Sequence, residues 1–381
     1  MTLNELDTKN NNITLFRLIA AWLVLYTHSW ALTGAKGLDQ YSLPDRLFAA
    51  YMPFDMKLSG VAVAMFFLFS GFLITKSFDR GKSNIHYVTS RVLRIYPALW
   101  VNLLFCAFVI GPIFTQFNLE QILKGETVWS YIRTNAVMLK THYRLMGSSE
   151  IFPANPNVFG INGSLWTLPA ELRAYILVFL FGLLGAFKSL RIFSIAIIGL
   201  IVAFLYFDAK SLLVAHPSHF RLMLFFLIGS IFYGLKKYIR LDIRILFSLA
   251  IIAIMSKETD LYNLIASVAI SYALFYISYH PKLRLPSIDR FGDFSYGLYL
   301  YAFPIQQSVV SVRPEIDPIM LVIISTILSM IAAVLSWFIV EKPSLGLKDK
   351  VASFFLNKLG KPEMTAEKSG GVEIKQSDAA W

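Results

Sequence analysis

Repeated apolar stretches, each long enough to cross a lipid bilayer, constrain this chain more than any other feature. Residues 58–75 and 318–340 contain no charged side chain, and about 20 helical residues suffice to cross a hydrocarbon core of roughly 30 Å. The stretches lack the alternation of apolar and polar residues that is typical of outer-membrane strands. Charged residues make up only 15% of the chain, and its mean hydropathy is +0.59. The sequence therefore predicts an all-α fold, a polytopic transmembrane helix bundle.

The apolar stretches predict about ten spans. The sixth and seventh have short charge-free cores, so counts of nine and eleven stay open. The predicted spans are residues 13–33, 58–77, 95–116, 168–187, 191–207, 220–235, 243–257, 261–279, 293–312 and 318–340.

The basic residues indicate how the bundle is oriented. If the N-terminus is cytoplasmic, the loops on the inside carry roughly twice as many Lys and Arg as those outside, as the positive-inside rule requires. We therefore predict a cytoplasmic N-terminal segment at 1–12, a transmembrane domain at 13–343, and a cytoplasmic tail at 344–381. The tail is predicted to be largely disordered after a short amphipathic helix at 345–359. The same distribution explains the net charge of +11, so no nucleic-acid partner is predicted.

The sequence offers little for a disulfide or a metal site. Cys106 is the only cysteine, which excludes an intrachain disulfide and a cysteine-based metal site. We predict no metal cofactor.

The first predicted span contains two polar side chains, Arg17 and His28. Eleven helical residues turn the chain by about 20° more than three full turns and raise it by roughly 16 Å, so the two side chains share one face. Ionisable groups inside a membrane usually face the protein interior or a wet cavity. Two simpler interpretations stay open: Arg17 can snorkel to lipid head groups, and His28 can be a neutral, hydrogen-bonded structural residue.

An Arg followed by ten residues and a His in the first span resembles the signature of the acyltransferase 3 family of membrane acyltransferases. Five further blocks resemble that family in the same order. Two positions depart from it, since Ala64 and Ala302 stand where many members have Asp and His. The blocks are "FFLFSGFLIT" (66–75), "SRVLRIYPALW" (90–100), "NGSLWTLPAELRAYIL" (162–177), "SYGLYLYAFPIQ" (295–306) and "FIVEKPSLGLK" (338–348).

This resemblance implies a membrane O-acyltransferase of the bacterial inner membrane. Its donor would be an acyl-CoA, by default acetyl-CoA from the cytoplasm. Its acceptor would be a hydroxyl group on an extracytoplasmic carbohydrate or glycolipid, such as a lipopolysaccharide, an exopolysaccharide or a glucan. No esterase-like domain is expected, because fewer than 45 residues follow the last predicted span.

The donor suggests roles for three arginines. Guanidinium groups pair with phosphate oxygens in a fixed bidentate geometry, so we expect Arg17, Arg91 and Arg94 to hold the donor's phosphates at the inner edge. The positive-inside rule explains Arg91 and Arg94 almost as well.

We predict that His28 is catalytic, as a general base for the acceptor hydroxyl or as a nucleophile that carries the acyl group. Counting helical rise from the membrane edges places Glu171 at a similar height. Glu171 is therefore predicted to orient His28, as an Asp does in a catalytic triad. It could also pair with Arg173 or sit in the wet interface.

Four side chains around the start of the fourth span are predicted to bind the acceptor. Asn162 and Ser164 offer hydrogen bonds, and Trp166 and Tyr175 offer aromatic surface. Trp166 also fits an ordinary interfacial belt, and Tyr175 also fits helix packing.

A proton-coupled secondary transporter is the alternative function. Buried Arg, His and Glu residues are common in transporters, which often consist of paired halves. We find no such internal repeat here.

Overall fold

The chain folds into a bundle of α-helices, seen here in a computed structural model. The structure describes residues 2–3, 11–34, 40–115, 119–141, 145, 151–156, 160–206 and 217–359. Within these ranges the α-helices are α1 Ile13–Leu32, α2 Leu43–Tyr51, α3 Leu58–Asp79, α4 Asn84–Phe105, α5 Gly111–Phe114, α6 Leu119–Lys124, α7 Glu126–Val137, α8 Leu168–Leu183, α9 Leu190–Tyr206, α10 Pro217–Gly234, α11 Ile243–Met255, α12 Tyr262–Tyr279, α13 Ser295–Val312, α14 Pro318–Ser336, α15 Lys342–Gly346 and α16 Lys348–Lys358.

The predicted helical membrane bundle is confirmed in its main features. Each of the ten predicted spans overlaps a helix in the described part of the chain. Six helical segments there are long and apolar enough to cross a membrane by length and composition, whereas three more apolar helices are shorter, so the count of ten stays a prediction. The six are Ile13–Leu32, Leu58–Asp79, Asn84–Phe114, Gly163–Leu183, Tyr262–Tyr279 and Pro318–Lys358.

The third predicted span begins eleven residues earlier than expected, at Asn84 instead of residue 95. Ser83 caps the helix, because its side chain accepts a hydrogen bond from the backbone N–H of His86 at 3.1 Å. The helix therefore includes the basic segment that the sequence suggested would precede it, and Arg91 and Arg94 become buried helix residues.

The last predicted span also continues further than expected. After α14 the helical path runs through a π-helical turn, Trp337–Glu341, and then through α15 and α16. The short helix predicted at 345–359 corresponds to α16, and the rest of the predicted tail, from residue 360, lies outside the described residues.

Segments that were predicted to face the cytoplasm lie together at one end of the bundle. The backbone N–H of Leu3 donates to Ile239 O at 2.9 Å, and Asn12 donates to Leu283 O at 2.8 Å. At the same end, His86 Nε2 lies 3.1 Å from the carboxylate of Asp349 in α16. These contacts agree with the predicted grouping of loops, while the side of the membrane stays a prediction.

Helix α3 lies at the centre of the bundle, with 72% of its apolar segment buried. It packs most extensively against α10 and also contacts α1 and α8. Glycines permit the close crossing with α10, because a Cβ on Gly71 would collide with the carbonyl of Phe226, and one on Gly229 with that of Leu68. The α3–α10 pair therefore joins α1, which carries Arg17 and His28, to α8, which carries Glu171.

We expect Gly71→Ala to lower the free energy of unfolding by about 1–3 kcal/mol, the usual cost of overpacking. The added methyl group forces the backbones of α3 and α10 apart. Thermal unfolding of the purified protein in detergent measures the effect. Gly199→Ala is the matched control, because nothing lies within 4 Å of its added Cβ. Equal melting temperatures for the two variants would contradict the prediction.

Candidate active site

Four charged side chains from distant parts of the chain form a buried ion-pair cluster. Arg17 Nη1 of α1 lies 2.9 Å from Asp293 Oδ2, and Arg94 of α4 donates to the same carboxylate oxygen. Arg94 Nη1 also lies 3.4 Å from Glu341 Oε2 in the π-helical turn. One carboxylate thus joins α1, α4 and the start of α13, and a second extends the cluster to the end of α14.

Asp293 is held in place by the first residue of α13. Its Oδ1 accepts hydrogen bonds from the hydroxyl group of Ser295 at 2.5 Å and from the backbone N–H of Ser295 at 3.3 Å. Its other oxygen is thereby directed at the two arginines. Neither Asp293 nor Glu341 was predicted as a site residue, although each is an acidic residue at the edge of an apolar span.

Arg91 lies beside this cluster and forms no salt bridge with a carboxylate in the described part of the chain. Its Nε is buried and has no hydrogen-bond partner among the described residues, and its guanidinium lies 5.9 Å from the ring centre of Tyr175. The hydroxyl of Tyr175 donates to the carboxylate of Glu171. Arg91 is therefore the arginine most open to an added anion.

The three predicted phosphate-binding arginines surround one small cavity, which we call the inner cavity after the predicted orientation. Its volume is about 40 Å³, which is room for little more than one or two water molecules. The structure thus brings Arg17, Arg91 and Arg94 together as expected and adds two of the other predicted site residues to them. The polar side chains of its wall belong to Arg17, Ser70, Arg91, Arg94, Glu171, Tyr175 and Tyr296.

A much larger cavity lies near the other end of α1. Its volume is about 820 Å³, within the range usual for small-molecule sites. We call it the outer cavity, and its wall includes His28, Lys140, Gly163, Trp166, His219, Arg221 and Phe303.

His28 occupies this outer wall with an unused nitrogen. Its Nδ1 is buried and has no hydrogen-bond partner among the described residues. The ring meets Phe303 edge to face, with ring centres 5.1 Å apart. A Cβ on Gly163 would lie 2.8 Å from the Phe303 ring, so the glycine leaves room for the aromatic ring that holds His28.

The structure does not bring Glu171 to His28. The two side chains line different cavities, and the hydrogen bond recorded for Glu171 comes from Tyr175. The expected pair was based on similar height along the membrane normal, counted as helical rise from assumed membrane edges, whereas Glu171 lines the same cavity as Arg17 near the other end of α1. The predicted carboxylate–imidazole contact is therefore absent, and Tyr175 likewise lies at the inner cavity.

Two of the other predicted acceptor-binding residues lie inside the protein. Asn162 is fully buried and donates to Asn102 Oδ1 and to Leu300 O, both at 3.0 Å. It also accepts from the backbone N–H of Ser164 at 3.1 Å, which caps the 3₁₀ turn before α8. Ser164 is fully buried as well, and its hydroxyl has no hydrogen-bond partner among the described residues. Neither residue lines the outer cavity.

Trp166 does line the outer cavity, together with a histidine that the sequence analysis missed. The rings of Trp166 and His219 are stacked, with centres 5.7 Å apart. His219 Nε2 lies 2.9 Å from the carbonyl oxygen of Trp166, so this nitrogen carries the proton. Nothing in the sequence around His219 indicates this contact, which joins α10 to the turn before α8.

Aromatic side chains lie between the two cavities. The guanidinium of Arg17 lies 5.7 Å from the ring centre of Phe66, and Phe66 meets Tyr299 with ring centres 5.9 Å apart. The hydroxyl of Tyr299 lies 2.8 Å from Thr167 Oγ1, next to Trp166. A chain of contacts thus leads from the inner to the outer site.

The described residues offer no metal centre. Among them, no group of three or more His, Cys, Asp or Glu side chains is placed to hold a metal ion.

Comparisons with known proteins agree with the resemblance noted in the sequence. A family model described as an acyltransferase domain matches residues 10–338. The chain is 27% identical to an O-acetyl transferase of Shigella phage Sf6, over 88% of this chain and 96% of the relative. It is also 27% identical to Nodulation protein 10 of Rhizobium leguminosarum bv. viciae, over 90% of this chain and 95% of that relative. No solved structure matches the chain. The chain belongs to the acyltransferase 3 family and is a membrane O-acyltransferase.

Proposed function

We propose that the protein moves an acetyl group from cytoplasmic acetyl-CoA to a hydroxyl group of an extracytoplasmic carbohydrate, such as a lipopolysaccharide, an exopolysaccharide or a glucan, in the bacterial inner membrane. The name of the phage relative supports acetyl as the acyl group. The position of one cavity near each end of α1 supports transfer from one side to the other. The transporter alternative is not favoured, since the matching family consists of acyltransferases.

The observation that carries this proposal is the environment of His28. The His28 side chain lines a cavity of about 820 Å³, and its buried Nδ1 has no hydrogen-bond partner among the described residues, which costs free energy. A substrate hydroxyl that enters this cavity would lie against the imidazole ring and could hydrogen-bond to it. The same contact is the first requirement for proton transfer from that hydroxyl.

In the general-base route, His28 takes the proton of the acceptor hydroxyl while the acceptor oxygen attacks the carbonyl carbon of the thioester. The carbon–sulfur bond then breaks, and the imidazolium returns the proton to the leaving thiolate, which yields CoA and the O-acetyl ester. In the covalent route, His28 first attacks the thioester carbon and displaces CoA, which leaves as the thiol with the imidazole proton, so that the acetyl group is carried as an acyl-imidazole. The acceptor oxygen then attacks this acetyl group, the carbon–nitrogen bond breaks, and the imidazole takes up the hydroxyl proton. A labelled acetyl group that is trapped on the wild-type protein and lost in His28→Ala would select the covalent route.

The inner cavity is the proposed site for the donor's phosphate groups. Arg17 and Arg94 already have Asp293 and Glu341 as partners, so Arg91 is proposed as the first phosphate ligand. The cavity has to widen to admit a phosphate, because it now holds about 40 Å³. The rise of roughly 16 Å from Arg17 to His28 along α1 is comparable with the length of the arm that joins the donor's phosphates to its thioester.

Glu171 and Tyr175 are proposed to act at this donor end. Their mutual hydrogen bond places a carboxylate and an aromatic ring beside Arg91, where they can hold the guanidinium in position. Trp166 is proposed to contact the acceptor directly, and Asn162 and Ser164 are proposed to act through the turn that presents it.

Acetyl transfer without a sealed compartment tests the proposed function. Purified protein in detergent is given acetyl-CoA and polysaccharide from a host strain that lacks the protein. We expect release of free CoA together with acetyl ester in the polysaccharide, whereas a transporter produces neither. The host strain is chosen so that its polysaccharide carries the acetyl ester when the protein is present. Absence of both products with polysaccharide from that strain without the protein would overturn the proposal.

We expect Arg91→Gln to raise the KM for acetyl-CoA about tenfold to a hundredfold, because a hydrogen bond to a charged group is worth about 1.5–3 kcal/mol. Arg91→Lys should recover only part of this affinity, since lysine keeps the charge but lacks the forked geometry. Arg284→Gln removes the same charge from an exposed loop at the same end of the bundle and serves as the control. A KM for Arg91→Gln equal to that of the control would exclude Arg91 from donor binding.

A further inference from the structure

The charged side chains that line the outer cavity are all basic among the described residues. Besides His28, its basic side chains are Lys140, His219 and Arg221, and no acidic side chain lines it among the described residues. The inner cavity differs, since its arginines lie among the carboxylates of Glu171, Asp293 and Glu341. The described wall of the outer cavity therefore presents positive charge, without a carboxylate among its residues, to whatever enters it.

Arg221 is the most important of these basic side chains. It lies one turn into α10, it is partly buried, and its Nε is buried without a hydrogen-bond partner among the described residues. No carboxylate of the described chain forms a salt bridge with it. A guanidinium in such a place is costly unless an anion compensates it.

The surrounding backbone also favours an anion. Ser218 and His219 belong to the first turn of α10 and line the cavity, and the amino-terminal turn of a helix attracts negative charge. Opposite them, Arg173 donates to the carbonyl oxygen of Leu139 at 3.1 Å, which fixes the segment that carries Lys140 to the cavity wall.

We propose that the outer cavity binds an anionic group of the acceptor, a phosphate or a carboxylate, with Arg221 as its main ligand and Lys140 as a second. The acceptor is therefore an acidic or phosphorylated glycan or glycolipid, whose charged group sets the position of the hydroxyl at His28. This inference rests on the proposed function and narrows its substrate class.

Three sugars of similar size test the charge preference by binding alone. Glucose 1-phosphate, glucuronic acid and glucose are titrated into the full-length protein in detergent, and dissociation constants are measured by calorimetry. We expect at least one charged sugar to bind tenfold or more tightly than glucose, and this advantage to shrink as salt is added. The better of the two charged sugars identifies phosphate or carboxylate as the preferred group. A wild-type protein without preference for either charged sugar overturns the proposal, and this result does not depend on any variant.

Arg221→Gln locates the site. The variant should lose at least tenfold in affinity for the preferred charged sugar and keep its affinity for glucose, whereas Arg313→Gln, which removes an exposed charge at the end of α13, should change neither. Unchanged binding of the charged sugar by Arg221→Gln overturns the assignment.

The KM for acetyl-CoA shows whether the outer cavity binds the acceptor or the donor. It should be unchanged in Arg221→Gln, and a tenfold increase would show instead that the cavity binds donor phosphates. Failure of the proposed function gives a different result. A protein that binds charged sugars preferentially but transfers no acetyl group would support the anion site and contradict the proposed reaction.

Discussion

Replacement of His28 by alanine is expected to lower the rate of acetyl transfer by about 10²–10⁴-fold, the range that a positioned general base contributes. In the covalent route the loss is larger still, because no acyl carrier remains. The expectation rests on the position of the His28 ring at the wall of the outer cavity and on its Nδ1, which has no hydrogen-bond partner among the described residues. The measurement is release of CoA by purified protein with a labelled acetyl donor and acceptor polysaccharide.

A purely structural role for His28 predicts a different result. The ring touches Phe303, so its removal costs packing, but no hydrogen bond of Nδ1 to the described protein is lost. We therefore expect the His28→Ala variant to insert into the membrane normally and to have a melting temperature within a few degrees of that of the wild-type protein. Added imidazole should restore part of the activity, because the outer cavity has room for a free ring.

His280→Ala is the control, since it removes a histidine at the opposite end of the bundle whose Nδ1, among the described residues, accepts a hydrogen bond only from the Lys282 N–H at 3.3 Å. Turnover of His28→Ala within twofold of this control would remove His28 from the mechanism. A large loss of activity that imidazole does not restore, accompanied by a much lower melting temperature, would assign His28 to the fold.

The sequence was sufficient to predict the helical bundle and the grouping of the arginines. Long apolar stretches force helices in lipid, since backbone groups must be paired within the chain. Arg17 and His28 lie in one continuous helix, as their spacing required. Arg91 and Arg94 are three residues apart on α4 and therefore face the same neighbour.

The partners of these residues could not be predicted in the same way. Asp293 lies 276 residues from Arg17 and 199 from Arg94, and no local spacing indicates such a contact. Arg221 lay at the edge of the predicted span 220–235, and its cavity could not be predicted from the sequence, because residues of α1, α8 and α10 build the cavity together. Glu171 was predicted at the height of His28, but it lines the inner cavity with Arg17 and Arg91, because the packing of α8 against its neighbours, which no local spacing reveals, decides which cavity a side chain enters.

The second large effect is expected from Asp293→Asn, which should lower the free energy of unfolding by about 3–5 kcal/mol. Removal of one partner from a buried ion pair leaves the other charge without compensation. Asp293 is 3% exposed and serves both Arg17 and Arg94, so a single amide would leave two guanidinium groups facing each other with Glu341 as the remaining carboxylate partner of Arg94. Thermal unfolding in detergent and the yield of inserted protein measure the loss.

Asp289→Asn is the matched control for this change, because Asp289 is exposed and its carboxylate, within the described part of the chain, accepts a hydrogen bond only from Ser287 at 2.8 Å. Both variants remove one negative charge from the segment that precedes α13, so a difference between them reports the buried contacts and not the net charge. If Asp293→Asn has the same melting temperature as the control variant, the ion-pair cluster does not hold α1, α4 and α13 together. Its two arginines would then be available to an incoming phosphate at little cost, and Arg91 would lose its place as the first ligand of the donor.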